Sequence, residues 1–505
     1  MIHSLLSDLE SDMGPDAGAA FARLVSDYLA RSRNVAEFVG TSRTPKQLAE
    51  RFREPLPETG QPLAEVVRRV ARDVLPDSTW LYHPHYLGHQ VSAPLPAAIW
   101  MESVIGALNN SMTVFEMSPV ATIIEAQVIR WMCDLSGYPE QAGGTLTSGG
   151  TEATFTALLA ARAAALPHSW ERGVGSEPPV IVCGEHAHYA VTRAAGQLGL
   201  GTRNTVTIPS YEFRMDASVL AHRLDALRHT GTRVLAVVAT AGSTATGSFD
   251  DLEAIGNLCE QHGVWLHVDG AHGASALLSR EHRHRVRGIE RARSIAWDPH
   301  KMMLLPLSAG MLLVRDERDL EAAFTQRAPY IFHEGDEERS WDQGVRSFLC
   351  SRRADALKLW VALLRYGAGG IGALYEHLCD TTRALYDAIE ERDDFESMHE
   401  PESNILCFRY VGAGGLNDAQ LDALNLEIRT QYNASGAGWI TTTVLGQRRT
   451  LRATIMNPRT DAGHVRAVLD GLAQLGRRLE AGELIDMEPR EHKTSKARVR
   501  LPARR

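Results

Sequence analysis

The stretch that decides the fold is residues 233–273, RVLAVVATAGSTATGSFDDLEAIGNLCEQHGVWLHVDGAHG. It begins with the apolar run RVLAVVATAG (233–242), continues as the helical pattern FDDLEAIGNLCEQH (249–262), and ends in a second apolar run, GVWLHVDGAHG (263–273). Near-continuous Val, Leu and Ile runs of this length are typical of parallel strands that are covered on both faces. The stretch therefore predicts a strand–helix–strand unit of an α/β fold.

The same alternation extends on both sides of this unit. VIVCGE (180–185) and AGMLLVRD (309–316) predict further buried strands, and TEATFTALLAARAAAL (151–166) predicts a helix between strands. RRADALKLWVALLRYG (352–367) predicts an amphipathic helix that ends at Gly367 as a C-cap.

Four segments follow from this pattern. Residues 1–82 are predicted to be helices broken by loops, and residues 83–375 a large domain with a central, mostly parallel sheet. Residues 376–485 alternate helices with strands and predict a small α+β domain. The basic tail 486–505 lacks apolar periodicity and is predicted to be disordered.

Composition narrows the function classes. The chain has 505 residues, a net charge of −9 and a pI of about 6.1, which argues against a general nucleic-acid binder. Its six cysteines are scattered without a CxxC pair, so neither a zinc ribbon nor a disulfide framework is indicated and a reducing compartment fits. The first residues lack a signal-peptide pattern, and no apolar run is long enough to span a membrane. We therefore expect a cytoplasmic protein that does not associate with membranes.

One lysine stands out in SIAWDPHKMMLLPLSAG (294–310). The chain contains 48 arginines and only five lysines, yet Lys301 lies among apolar residues. A lysine in a poorly solvated pocket can lose its proton and attack a carbonyl, whereas arginine cannot. The segment therefore raises the hypothesis of a Schiff-base lysine. The alternative is a lysine whose stem lies along apolar surface with its ammonium in water.

A small-residue turn precedes the first predicted helix of the large domain, in GGTLTSGGTEATFTALLAAR (143–162). Gly149, Gly150 and Thr151 lead directly into that helix. Exposed backbone N–H groups at a helix N-terminus favour a phosphate. The segment lacks the lysine of a nucleoside-triphosphate loop. An ordinary tight loop before a capped helix explains the glycines equally well.

Polar residues follow the other predicted strands. Asp269 ends an apolar strand at the edge where α/β sheets bind ligands, and a carboxylate there could pair with a protonated pyridine nitrogen. Two alternatives are a metal site of His267, Asp269 and His272, and a buried Asp that caps a loop. His186 or His188 could stack on a planar cofactor, although single histidines are more often structural. Thr244 follows another strand, in a loop that Asp250 could simply close as an N-cap.

The order of these motifs carries a family resemblance. A phosphate loop, a histidine, a small-residue turn, a strand-end Asp and then His300-Lys301 resemble fold-type I, pyridoxal 5'-phosphate (PLP)-dependent decarboxylases. That group includes glutamate, cysteine-sulfinate and aromatic amino-acid decarboxylases. The resemblance runs from about residue 83 to about residue 458. DPHKMM is similar to the NPHKMM of the glutamate branch, and TAGSTATGSFD to its TAGTTVYGAFD.

The resemblance implies a role for each matching residue. Lys301 would bond to the cofactor aldehyde, Asp269 would pair with the pyridine nitrogen, and His188 would stack on the ring. Arg452, in LRATIMNP, would grip a substrate carboxylate, and Tyr330 in a mobile loop would help to protonate the product carbon. The remaining residues implied for the cofactor are Gly149, Gly150, Thr151, Thr244, Ala271, Asp298 and His300. The resemblance also implies a homodimer with active sites at the subunit interface.

Three departures leave the substrate open. Asp298 replaces the usual Asn, His272 replaces an aromatic residue, and HPHYLGHQVSAP (83–94) matches no branch, although its His83 and Tyr86 are expected to contact substrate. We expect an L-amino-acid decarboxylase with a slight preference for acidic over aromatic substrates. The alternatives are an aldehyde synthase or aminotransferase on the same fold, a carbon–carbon lyase, a metal hydrolase, and a PLP-binding protein without turnover.

Overall fold

The structure is a computed structural model that describes residues 2–324, 332 and 340–482. Its helices are α1 (Ile2–Asp12), α2 (Pro15–Arg31), α3 (Pro45–Arg51), α4 (Leu63–Arg69), α5 (Pro96–Leu108), α6 (Pro119–Leu135), α7 (Gly150–Ala165), α8 (Ser169–Arg172), α9 (Ala190–Gln197), α10 (Ala217–His229), α11 (Leu252–His262), α12 (Arg318–Ala323), α13 (Ala356–Glu390), α14 (Asp418–Ser435) and α15 (Ala462–Glu480). Its strands are β1 (Tyr86–Leu87), β2 (Gly143–Thr147), β3 (Val180–Gly184), β4 (Thr205–Ile208), β5 (Ser210–Tyr211), β6 (Arg214–Met215), β7 (Val234–Thr240), β8 (Trp265–Asp269), β9 (Ser294–Trp297), β10 (Gly310–Val314), β11 (Phe395–Ser397), β12 (Ile405–Tyr410), β13 (Trp439–Leu445) and β14 (Arg448–Thr454).

A seven-stranded sheet forms the centre of the large domain, in the order β2-β10-β9-β8-β7-β3-β4. The pairs β9–β8, β8–β7, β7–β3 and β3–β4 are parallel, and β10 runs antiparallel to both of its neighbours. The predicted α/β class and the mostly parallel sheet are therefore confirmed. Every residue of β2, β3, β8, β9 and β10 is buried, as expected for strands that are covered on both faces.

The β7–α11–β8 unit forms as the sequence predicts, with one correction at the start of its helix. Asp251, not Asp250, is the N-cap, because its carboxylate accepts the N–H of Ala254 at 3.0 Å. The carboxylate of Asp250 instead accepts the N–H groups of Thr240 and Met215, both at 2.7 Å. Burial raises the pKa of Asp250 to about 6. Asp250 thus fixes the end of β7 from within the core.

The C-terminal residues build a second sheet, in the order β1-β13-β14-β12-β11, with α14 and α15 packed beside it. Strand β1 comes from the predicted large domain and pairs in parallel with β13. The predicted boundary between residues 375 and 376 falls inside α13, so the division into domains stays a prediction. Gly367 does break that helix, at φ 70° and ψ 159°, but the chain resumes helical geometry beyond it.

The predicted helical segment at the N-terminus contains α1 to α4 and no strand among residues 2–82. Within the described parts of the chain, no helix combines the length and the apolar character needed to cross a membrane.

Candidate active site

The carboxyl edges of the central strands surround a cavity of about 410 Å³. Thr240 at the end of β7 pairs with Asp269 at the end of β8, and Asp269 pairs with Ala296 of β9, so these strand ends lie side by side. All the residues that the sequence assigns to the cofactor line this cavity: Gly149, Gly150, Thr151, His188, Thr244, Asp269, Ala271, Asp298, His300 and Lys301. Residues scattered over more than half of the large domain therefore meet at one place.

Lys301 lines the cavity, and among the described residues one carboxylate, that of Asp298, lies within ion-pair distance of its amine. Its Nζ lies 3.1 Å from Asp298 Oδ2, and His300 Nε2 lies 3.5 Å from the same oxygen. The lysine side chain is 21% exposed and that of Asp298 is 2% exposed, so the amine faces the cavity while its partner is enclosed. The other oxygen of Asp298, Oδ1, is buried and has no hydrogen-bond partner in the described chain.

The turn before α7 approaches this group closely. A Cβ added at Gly149 would lie 3.2 Å from His300 Cε1, and one at Gly150 would lie 2.8 Å from the Cβ of Ala271. Glycines are needed here because their neighbours occupy the space of a side chain. The first N–H groups of a helix have no intrahelical acceptor, and the helix dipole adds positive potential. The N-terminus of α7 therefore offers an anion cradle beside Lys301.

Asp269 and His267 lie two residues apart on β8, and so on the same face of the strand, but they make different contacts. One oxygen of Asp269 accepts the N–H of Ala271 at 3.2 Å, at the cavity wall. His267 is in the core, with ring nitrogens 2.9 Å from Ser294 Oγ and 3.4 Å from Thr154 Oγ1, and burial lowers its pKa to about 4. Across the described residues, no group of three or more His, Cys, Asp or Glu side chains could hold a metal ion.

His188 separates this cavity from a second one and lines both. Its Nδ1 accepts the N–H of Ala190 at 3.3 Å, and its ring centroid lies 4.1 Å from that of Tyr189. Burial lowers the pKa of His188, so the ring is neutral and available for stacking.

The second cavity, of about 380 Å³, contains Arg452. Arg452 Nε donates to the carbonyl of Ala245 at 3.1 Å, and burial lowers the pKa of the guanidinium. The arginine is 6% exposed, and its Nη2 has no hydrogen-bond partner in the part of the chain that the structure describes. A buried guanidinium with an unsatisfied nitrogen can donate a hydrogen bond to an anion.

Two of the predicted site residues, His83 and Tyr86, line neither cavity. His83 is fully buried, its Nε2 is 3.2 Å from the carbonyl of Glu37, and it lines neither cavity. Tyr86 also lines neither cavity, and its hydroxyl accepts the N–H of His89 at 3.2 Å. Their contact with substrate stays a prediction. Tyr330 lies outside the described residues.

Other wall residues escaped the sequence reasoning. His89, from the same unusual stretch as Tyr86, lines the second cavity, and Tyr189 lines both. His272 was noted only as a departure or as a metal ligand, and it lines the first cavity. The departure of residues 83–94 from the family pattern pointed to the segment that contains His89. No spacing rule, however, predicts that His89 rather than His83 lines a cavity.

The cavity fits a phosphorylated pyridine aldehyde. The glycine turn and the α7 N-terminus suit the phosphate, and the carboxylate of Asp269 suits a protonated ring nitrogen. Lys301 supplies an amine for the aldehyde, and Ala271 and His188 both line the cavity. These residues would hold PLP.

Comparisons with known proteins agree with this fit. Residues 45–411 match the model of the pyridoxal-dependent decarboxylase conserved domain. An L-2,4-diaminobutyrate decarboxylase of Rhizobium meliloti is 34% identical over 429 residues, which is 85% of each chain. An acidic amino acid decarboxylase of Homo sapiens is 32% identical and spans 77% of this chain and 75% of its own. The crystal structure of mouse CSAD superimposes with a TM-score of 0.86 at 28% identity, covering 94% of this chain and 98% of that one.

Proposed function

The chain belongs to the pyridoxal-dependent decarboxylase family and uses pyridoxal 5'-phosphate, and from that premise we propose that it decarboxylates an acidic L-amino acid to the corresponding amine. The observation that carries the substrate class is Arg452, whose buried Nη2 lacks a partner among the described residues. Around it stand neutral hydroxyls of Thr441, Thr442 and Thr443. A buried cation with an unsatisfied nitrogen favours a substrate that carries more than one carboxylate.

We propose a role for each residue of the first cavity, which its position supports. PLP supplies an aldehyde for the substrate amine and a ring that accepts electrons as CO₂ leaves. Lys301 would supply the amine that bonds to the cofactor aldehyde. Asp269 would keep a proton on the ring nitrogen, which maintains the ring as an electron acceptor. The α7 N-terminus with His300 would hold the phosphate, and His188 would stack on the ring.

Substrate orientation and protonation complete the reaction. Arg452 holds the side-chain carboxylate in the adjoining cavity, which orients the substrate so that the bond to its other carboxylate lies across the ring plane. Tyr330 returns a proton to the same carbon once CO₂ has left. This assignment to Tyr330 rests on its match to the mobile-loop tyrosine of the family.

A second substrate class has its own support. Glu185 lines the cavity of Arg452, and its carboxylate lies 3.4 Å from His186 Nε2 with a side chain that is 45% exposed. A carboxylate at that place could hold a terminal ammonium, such as that of 2,4-diaminobutyrate, the substrate named for the R. meliloti relative. The two classes differ in which charged side chain, Arg452 or Glu185, binds the substrate side chain.

The test is mass spectrometry of products from PLP-loaded protein and a mixture of L-glutamate, L-aspartate, cysteine sulfinate, 2,4-diaminobutyrate and aromatic amino acids. We expect an amine lighter than one acidic amino acid by the mass of CO₂. Lys301→Ala should form none, and Lys46→Ala, at an exposed lysine, should match the wild type. A diamine product would replace the acidic class with the diamine class. Aldehyde or keto-acid products would contradict the proposed function.

We also propose that two copies associate. Trp100, Val104 and Leu108 form a stripe on α5 and are 41%, 46% and 52% exposed. Apolar side chains at this spacing mark an interface, and the resemblance to homodimeric decarboxylases indicates a second copy as the partner. Light scattering should give the mass of a dimer, and Val104→Asp should reduce it to that of one chain. A monomeric wild type would contradict the proposal.

The cysteines support a proposal for the cellular location of the protein. All six are free thiols, which suits a reducing compartment, and we propose the cytoplasm. Fractionation of cells that express the protein would test this.

A further inference from the structure

Asp298 and Lys301 are brought together by a tight turn directly after β9. The N–H of Lys301 donates to the carbonyl of Asp298 at 2.9 Å, and the N–H of Asp298 donates to the carbonyl of Ala271 at 3.1 Å. Lys301 Nζ then lies 3.1 Å from Asp298 Oδ2, and both residues line the cavity. The local backbone therefore places the amine and the carboxylate next to each other.

His300 lies near the same carboxylate but contributes no positive charge. The N–H of Ala309 donates to His300 Nδ1 at 3.0 Å, so the ring carries its proton on Nε2. Burial lowers the pKa of His300, which keeps the ring neutral. Asp298 is 2% exposed, and among the described residues Lys301 is the only ammonium or guanidinium within ion-pair distance of it. A carboxylate this deeply buried depends on such a cation.

We propose that Asp298 receives the ammonium of Lys301 when the substrate amine takes the place of Lys301 on the cofactor. This inference rests on the part of the proposed function in which Lys301 bonds to the cofactor aldehyde. In the exchange, the carbon–nitrogen double bond to Lys301 breaks and one to the substrate forms. With that bond protonated before and after, the substrate ammonium loses two hydrogens and the lysine nitrogen gains two, so atoms and charge balance.

The geometry of the pair favours the released lysine. A free ammonium has three N–H donors, whereas a lysine nitrogen that is doubly bonded to carbon retains at most one. Asp298 is therefore stabilised most when Lys301 is free. An asparagine, which is usual at this place in the glutamate branch, could still accept a hydrogen bond but would carry no charge. Asp298→Asn keeps the shape of the side chain, so we expect it to fold and to bind PLP.

The experiment displaces Lys301 from the cofactor with ethylamine, which has no carboxylate to lose or to bind Arg452. PLP-loaded protein is equilibrated with increasing concentrations of ethylamine and then reduced with borohydride, which fixes the cofactor on the nitrogen that holds it. Mass spectrometry of the intact protein gives the fraction that remains on Lys301. Asp355→Asn is the matched control, because Asp355 and Lys358 are also three residues apart and 3.1 Å from each other but line neither cavity.

A second measurement separates this effect from binding of the phosphate, since Asp298 also lies beside the turn before α7. Pyridoxine 5'-phosphate, which has an alcohol in place of the aldehyde, is titrated by calorimetry into protein from which PLP has been removed. We expect Asp298→Asn to raise the ethylamine concentration at half displacement by about tenfold or more beyond any change in this affinity. Asp355→Asn should match the wild type in both measurements.

An ethylamine concentration at half displacement that is unchanged or lower in Asp298→Asn would overturn the inference. A rise no larger than the change in affinity for pyridoxine 5'-phosphate would also overturn it, because Asp298 would then act on the phosphate alone. So would an equal rise in Asp355→Asn. Failure of the proposed function would be distinct: the mass of the wild type would not increase on reduction, because Lys301 would not bond to the cofactor.

Discussion

Substituting Gly150 by alanine tests whether the turn before α7 borders the cofactor. A Cβ at Gly150 would lie 2.8 Å from the Cβ of Ala271 and 3.1 Å from Asp298 Oδ2. Carbon atoms pack best at about 3.5–4.0 Å, so Ala271 would have to retreat by about 1 Å. Both neighbours are buried, and overpacking at such sites typically costs about 1–3 kcal/mol.

Most of this cost should fall on cofactor binding. Ala271 and Asp298 both line the cavity, so their displacement would change the space available to the ring and the phosphate. A loss of about 1–3 kcal/mol corresponds to PLP binding that is weaker by about 5-fold to 150-fold. Equilibrium titration followed by cofactor absorption measures this directly.

Gly369→Ala provides the matched control. Gly369 lies within α13, is exposed, and would place its Cβ with no other atom within 4 Å. There alanine should favour the helix by up to about 1 kcal/mol and leave cofactor affinity unchanged. If Gly150→Ala bound PLP as tightly as Gly369→Ala does, the turn would not form the cradle and the reasoning would be wrong.

Three further predictions concern other parts of the molecule. Lys301→Ala should lower amine formation by at least about a thousandfold while far-ultraviolet circular dichroism is unchanged; activity near that of the wild type would refute the role of the lysine. Glu125→Gln should lower the free energy of unfolding in urea by about 3–5 kcal/mol, because Glu125 and Arg352 form a buried pair at 2.6 and 2.8 Å; a loss below about 1 kcal/mol would show that the pair is solvated. Burial lowers the pKa of His272 from 6.5 to about 3, so its contribution to the free energy of unfolding should be present above pH 6.5 and be lost as the pH falls towards 3, by about 1.4 kcal/mol per pH unit. His272→Gln should therefore lose less stability than the wild type over this pH range. An identical dependence of the unfolding free energy on pH would contradict burial of the ring.

Local sequence patterns predicted what depends on local chemistry. Apolar runs identified the strands of the central sheet because a strand that is covered on both faces must be apolar at nearly every position. Strand ends then located the cavity, since the carboxyl ends of parallel strands share one edge. Asp269 was found for this reason, and Lys301 because it is one of five lysines in an arginine-rich chain and lies among apolar residues. A family resemblance was needed to choose among the roles open to each.

What failed was decided by contacts between distant segments. Asp250 and Asp251 are equivalent as caps in sequence, and only the approach of Met215 to Asp250 distinguishes them. Strand β1 has two residues and pairs with β13, which lies about 350 positions later in the chain. A strand this short has no alternation of apolar residues that could predict it. The partner of His272, Asn404, lies 132 residues away, which is why the HVDGAH motif alone could not predict this hydrogen bond.

A comparison of two lysines shows why retention of a lysine among arginines is not itself a sign of catalysis. Lys358 is also kept and is more deeply buried than Lys301, with a side chain that is 0% exposed. Its Nζ lies 2.6 Å from Glu102 and 3.1 Å from Asp355, so two carboxylates neutralise and enclose the ammonium. Lys301 has one carboxylate beside it and an open path into a cavity. Both lysines are therefore shielded, but of the two only Lys301 borders a space that a carbonyl compound can enter, which a nucleophilic amine requires.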